Sequence, residues 1–206
     1  MSRPLLVEFF VEDDAHRQLL VPLVERMGRE EGLALQCQIR NAHGGHAKAM
    51  ASFKRYQLLR EKGVGGRAAP AILVVAIDGN CSSFTETARN IRRATGDPFV
   101  HMLVTACPDP HIERWYLADP DSFHAVVGTR PSVGRRKCVR DHYKQMLTTA
   151  ILGAGHPSTL DGVEFARELA DAMDLFRAGK HDSSLKAFVR GLRDSLRRAD
   201  RAVTNG

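Results

Sequence analysis

The sequence predicts an α/β protein: an open, mainly parallel sheet flanked by helices, with a helical C-terminal extension. Three observations carry that prediction. Strand-like and helix-like segments alternate through the first half of the chain. The run AILVVAI at 71–77 is apolar without interruption. After Pro108-Asp109-Pro110, only helical patterns follow. A strand that is apolar throughout is buried on both faces, as at the centre of a parallel sheet. A βαβαβαβ order builds such a sheet through right-handed crossovers.

The elements read as follows. Leu5 to Val11 is a strand, and Asp14 to Glu31 a helix with Leu19, Leu20, Leu23, Val24 and Met27 on one face. Gly32 is placed to end it. Leu33 to Ile39 alternates apolar and polar residues and reads as a half-buried strand. Asn41 to His46 is a glycine-containing loop, Ala47 to Lys62 a second helix, and Gly63 to Pro70 a turn or loop. The strand at 71–77 runs into Asp78-Gly79-Asn80. A helix from about Ser83 to Ala94 and a strand from Phe99 to Thr105 complete the alternation. HIERWYLADPDSFHAVV then reads as two short helices split at Asp119-Pro120. Lys137 to Leu152, Gly162 to Phe176 and Ser183 to Val203 follow as helices.

The bulk numbers suit this reading. The 206 residues, 43% hydrophobic and 26% charged, fit one globular unit with a sizeable core. Residues 1–124 are expected to form the α/β domain, with 125–206 a helical extension packed on it. No apolar run approaches the ~18 residues of a membrane span, and MSRPLL lacks the features of a secretory signal. Cys37, Cys81, Cys107 and Cys138 are scattered without a C-x-x-C pair, so neither a zinc site nor a disulfide framework is indicated. A reduced, cytoplasmic protein is expected. Thirty Lys+Arg against 24 Asp+Glu give a net charge of +6, a bias towards nucleic acid or other polyanions.

The acids are informative by position. Glu12 and Asp78 each lie one residue past the end of a predicted parallel strand, where ligands of open α/β sheets bind. If their strands are neighbours, the two carboxylates can share one Mg²⁺, which takes oxygen ligands and keeps several waters. Such an ion polarises a phosphodiester and activates a water. Acids after strands are also ordinary helix caps, the role that suits Asp13 and Asp14. The matched placement of Glu12 and Asp78 points to a site.

These residues also carry a resemblance. VEDDAHRQLLVPLV resembles the first motif of TOPRIM domains, the fold of primases, topoisomerases and OLD-family nucleases, where a strand ends in a glutamate, typically within E-G-x-x-E. VVAIDGN resembles their second motif, a strand ending in D-x-D. PDPHIERWYLADPDSF and AMDLFRAGKHDSSLKAFVRGLRDSL resemble blocks of small TOPRIM-like bacterial proteins, some of them associated with phage defence. The resemblance implies a Rossmann-like sheet and a Mg²⁺- or Mn²⁺-dependent phosphodiesterase or nuclease. Glu12 would be general base or metal ligand and Asp78 a metal ligand. The chain departs from the pattern at Asp13 (usually glycine), His16 (commonly a second glutamate) and Asn80 (usually the second aspartate). An asparagine carbonyl can bind Mg²⁺ but brings no charge, so Glu113 and Asp119 are the candidates to compensate. The six-residue separation would put them on different faces of one continuous helix, but Pro120 ends that helix. Either can then turn to the strand ends, and Asp119 equally suits a helix cap. The departures leave a rival expectation, a catalytically degenerate module that binds nucleic acid or a partner protein.

The remaining signals are weaker. Lys48, in NAHGGHAK, is placed to contact phosphate. Arg135, Arg136, Lys137 and Arg140 form a basic segment leading into a helix, a candidate nucleic-acid contact. Arg190, Arg193, Arg197, Arg198 and Arg201 recur at helical spacing, with no aromatic interleaved in that run. GVGGR lacks the Gly-Lys-Ser/Thr of a P-loop. His111 and His142 are acid/base groups with no partner evident, and Trp115 reads as core.

Overall fold

The computed structural model describes residues 4–41, 44–64, 69–134, 136–139 and 141–204. Four strands, β1 (Leu5–Val11), β2 (Leu35–Asn41), β3 (Ile72–Ala76) and β4 (Leu103–Ala106), form one parallel sheet in the order β2-β1-β3-β4. The helices of the α/β part are α1 (Asp14–Glu30), α2 (Gly45–Glu61), α3 (Phe84–Arg93) and the short α4 (Asp97–Val100). They are followed by α5 (Glu113–Tyr116), α6 (Pro120–Val127), α7 (His142–Gly153), α8 (Ala166–Ala172), α9 (Leu175–His181) and α10 (Ser183–Thr204). The architecture is therefore a parallel sheet flanked by helices, consistent with a general Rossmann-like fold.

Strand alternation sorts the side chains into two cores. Val7, Phe9 and Val11 join Ile72, Val74 and Ala76 against the apolar face of α1, where Leu19, Leu20, Leu23, Val24 and Met27 are buried. Phe10, Leu73, Val75 and Ile77 pack on the other face with Ala49, Phe53 and Tyr56 of α2 and Ile91 of α3. Burying each of these large apolar side chains contributes up to about 1.5–3 kcal/mol. The first core continues without a break into the C-terminal helices, through Leu169, Leu185, Leu192 and Leu196. The helical extension thus shares its core with the sheet, and α6 runs across residue 125, where that extension was expected to begin.

Several expectations are corrected. β2 lies two residues later than read, and α2 starts earlier, at Gly45. Gly44 adopts a left-handed conformation (φ 104°) that a side chain would strain. The segment before β4 is not extended: Pro98 opens the short helix α4. The expected helix from Lys137 begins instead at His142. The Gly162–Phe176 helix is divided, because Asp174 caps α9 by accepting from the backbone N–H groups of Phe176 and Arg177, both at 2.9 Å.

Two side-chain placements stand out. Glu8 is 1% exposed because β1 lies inside the sheet. Arg40 on β2 forks onto its carboxylate, with Nη2 2.7 Å from Oε1, and the Tyr56 hydroxyl lies 3.4 Å from that oxygen. Cys81 and Cys138, expected to be free thiols, form a disulfide. Cys37 and Cys107 are free. Among the described residues, no helix is long and apolar enough to cross a membrane.

Candidate active site

In a 2-1-3-4 parallel order, the chain turns from building one side of the sheet to the other between β1 and β3. Ligands of such sheets bind outside the strand ends at that point. Val11 is in register with Ala76, and the Glu12 N–H continues the pairing by donating to the Ala76 carbonyl at 3.1 Å. The Asp78 N–H donates to Glu12 Oε2 at 3.0 Å, so the Glu12 carboxylate fastens the two strand ends together. Asp78 itself is buried.

Helix α1 brings the next group. Asp13 caps it by accepting from the His16 N–H at 3.1 Å, and the same Oδ1 lies 2.7 Å from His16 Nδ1. One helical turn after Glu12, the His16 ring is thereby aimed back at the strand ends. It is fully buried, with Nε2 3.1 Å from Asp78 Oδ1. The two atoms form a buried ion pair. On the opposite side, His111 Nδ1 lies 3.1 Å from Asp78 Oδ2. Asp78 is thus held between two imidazoles.

The electrostatics follow from this packing. Burial alone would raise the Asp78 pKa, but the His16 charge and the His111 hydrogen bond outweigh it and hold the group below the usual aspartate value. Burial likewise opposes the charging of His16. The Asp78 charge and the Asp13 hydrogen bond prevail and keep it protonated well above its ordinary pKa. His111 is raised by its hydrogen bond to Asp78, against burial, with further help from Asp78, Glu113 and Glu12 as charges. Glu12 is raised by burial and by the Asp78 charge. Glu113, at the start of α5, is raised by burial, then by Asp78 and Asp13. Glu12, Asp78 and Glu113 therefore belong to one electrostatically linked cluster, with pKa values pushed in opposite directions. Such divergence is a mark of acid–base sites. A cleft of about 390 Å³ opens beside it, lined by Asp13, Asp14 and Glu113 on one side and Lys144 and Asp161 on the other.

The other expected site residues lie as follows. Asn80 is exposed in a left-handed turn (φ 52°), its Nδ2 3.5 Å from the Asp78 carbonyl oxygen. Asp119 does not turn to the strand ends. It is buried, and its carboxylate accepts from Arg177 Nε (2.8 Å) and Nη2 (2.9 Å), Ser122 Oγ (2.6 Å) and the Asp174 N–H (2.9 Å). It ties α6 to α9. Lys137 is paired with the buried Asp109 at 2.7 Å, so its charge is largely spent there. Lys48, in the first turn of α2, and Arg136 are exposed, while Arg135 and Arg140 lie outside the described residues. Trp115 is core: it stacks on Phe188 at 5.4 Å, and its Nε1–H donates to Ser184 Oγ. Cys107 is a buried free thiol. Burial, aided by the Asp78 charge, pushes its thiol up to about 12.

His16 and His111 are the site residues that sequence reasoning left unassigned. The signal for His16 was its spacing, one turn after Glu12 behind an Asp13 cap; for His111 it was the loop following a strand end. Comparison with family models, with curated proteins and with solved structures yields no match. Among the described residues, no group of three or more His, Cys, Asp or Glu side chains is already arranged to hold a metal ion. The functional reading rests on the site.

Proposed function

We propose that this chain is a TOPRIM-like phosphodiesterase or nuclease dependent on Mg²⁺ or Mn²⁺, acting as one component of a bacterial phage-defence system. The observation that carries the reading is the meeting of Glu12 and Asp78 at the β1/β3 switch point, with Glu113 electrostatically linked to both strand ends.

The donor set fits a hydrated hard cation. It consists of carboxylate oxygens, and Glu12 and Glu113 both have raised pKa values, in part through neighbouring negative charge that a divalent ion would relieve. Among the described residues no three carboxylates converge as direct ligands, so the ion would be held by Asp78 with Glu12 or Glu113 and would keep several of its own waters. A divalent ion held there would polarise the phosphodiester and lower the pKa of a water. The chain's own residues do the rest. Glu12 would either bind the ion or, where a water takes its place on the ion, accept the proton of the attacking water. His16 and His111 fix the Asp78 carboxylate from both sides and keep it ionised.

The test is Mg²⁺- or Mn²⁺-dependent cleavage of single- and double-stranded DNA and RNA, comparing wild type with Glu12→Ala and Asp78→Ala. Loss in both variants supports the reading. Undiminished cleavage in both assigns the activity to another site or a contaminant.

One observation favours a second reading. Asp78 already has two imidazoles as counter-charges, the arrangement expected if the cluster stabilises a module that binds nucleic acid or a partner protein. That reading predicts metal-independent binding with no cleavage by wild type.

A further inference from the structure

We propose that the groove between α9 and α10 binds single-stranded nucleic acid, with Phe176 stacking on a base and Lys180, Lys186 and Arg190 holding the backbone. The residues are distinct from those at the strand ends, and the inference does not depend on cleavage.

The groove is built by a tight corner. Asp182 turns the chain by accepting from the N–H groups of Ser184 and Leu185, both at 2.9 Å, so α10 folds back along α9. Gly179 permits the close approach: a Cβ there would lie 3.3 Å from Lys186 Cβ, and the Lys186 stem lies against the α9 backbone instead. What remains is a groove of about 370 Å³ with Leu175, Gly179 and Val189 along its floor. Lys180, Lys186, Arg190 and Arg193 line it against the single acid Asp194. Arg193 is partly engaged, 3.4 Å from Glu31. Among the described residues, Lys180, Lys186 and Arg190 make no ion pair.

The occupant follows from the ring at the edge of this basic groove. Phe176 is 74% exposed, more than any other large hydrophobic residue of the described chain, and Lys180 Nζ sits 4.3 Å from its ring centroid. An apolar floor, an exposed aromatic face and cations a few ångströms away match a nucleobase joined to phosphates. Lys186 and Arg190 are one turn apart on α10, about 6 Å along its axis, so they can follow a backbone rather than a single charge. An acidic peptide would use the cations and leave the ring without a partner. The sequence separates Phe176 from the arginine run of α10. The corner at Asp182 brings Lys186 and Arg190 of α10 beside the Phe176–Lys180 pair of α9.

The experiment measures fluorescence anisotropy of labelled oligo(dT) with the full chain in EDTA, so that the outcome is independent of metal and of cleavage. Phe176→Ala is expected to weaken binding about 5- to 100-fold, the range of one lost base stack, and Phe176→Tyr to restore it. Lys186→Glu with Arg190→Glu is expected to weaken binding further and to flatten the dependence of log K on log salt by about two phosphate contacts. Arg190→Glu alone is also measured, and Arg92→Glu, matched to it in charge and exposed on α3, is expected to have a much smaller effect. The proposal is overturned if wild type does not bind. It also falls if Phe176→Ala binds as well as wild type, or if Arg92→Glu matches Arg190→Glu. Displacement by poly-glutamate at equal charge would show an acidic-protein surface instead. Circular dichroism of each variant separates lost binding from lost folding.

Discussion

The Asp78 backbone N–H donates to the Glu12 side chain at 3.0 Å, so the residue that closes β1 also holds the loop leaving β3. A carboxylate in that position is both a strand-end fastener and a candidate catalytic group. Glu12→Gln keeps an oxygen acceptor for the Asp78 N–H, whereas Glu12→Ala leaves that donor without its partner. In urea unfolding, the alanine variant is expected to lose about 1–2 kcal/mol more than the glutamine variant. Cleavage is expected to fall at least about 100-fold in both. Equal stability losses would show that the hydrogen bond contributes little.

The buried His16–Asp78 pair makes stability depend on pH in a defined direction. His16 has a folded pKa well above 6.5, so its contribution is complete below that value and is lost as pH rises through the folded pKa. Asp78 is shifted below 3.8, so its contribution is present above that value and is lost as pH falls through its folded pKa. The His16 contribution should therefore be complete below about pH 6.5 and shrink as pH rises above that towards the folded pKa. His16→Gln is expected to flatten that decline. Urea midpoints measured across a pH series check this, and an unchanged decline in the variant would remove the pair from the explanation.

Glu113 and Asp119 were both candidates to compensate for Asn80, Glu113 the better motivated, and the fold separates them. Glu113→Gln is expected to reduce cleavage by at least tenfold while leaving the fold intact. Asp119→Asn is expected to leave cleavage per folded molecule unchanged and to lower the thermal midpoint, because the amide keeps one acceptor oxygen but loses the charge and the second acceptor that face Arg177. The reverse pattern would place Asp119 in the site.

Glu8 is an anion inside the sheet, and Arg40 is its counter-charge. Arg40→Met should strand that charge and destabilise by about 2–3 kcal/mol, below the range for a fully buried pair because Arg40 is one-third exposed. Adding Glu8→Leu is expected to recover most of the loss. A double-mutant cycle by urea unfolding measures the coupling, and full additivity would mean that the ion pair contributes nothing.

Much of this protein was legible without coordinates because its signals are local. Continuous apolar character marked β3 as a buried strand, the 3.6-residue period of Leu19, Leu20, Leu23, Val24 and Met27 set the inner face of α1, and the acids after β1 and β3 marked the strand ends. The boundaries that were misread, at β2, α4, α7 and α9, turn on single residues such as Gly44, Pro98 and Asp174, whose effect depends on where their backbone groups are satisfied.

Tertiary structure alone decided which local signals meet. Pairing of β1 with β3 is a contact across more than sixty residues, and nothing in the period of either strand specifies it. The same holds for the partner of each charge. Asp119 goes to Arg177, Lys137 to Asp109, Glu8 to Arg40, and Asp78 to two histidines from different elements. Sequence determines what a side chain can do, because ionisation and hydrogen-bonding capacity belong to the residue. Which charge it faces, and at what degree of burial, belongs to the fold, and that sets the pKa and the available chemistry.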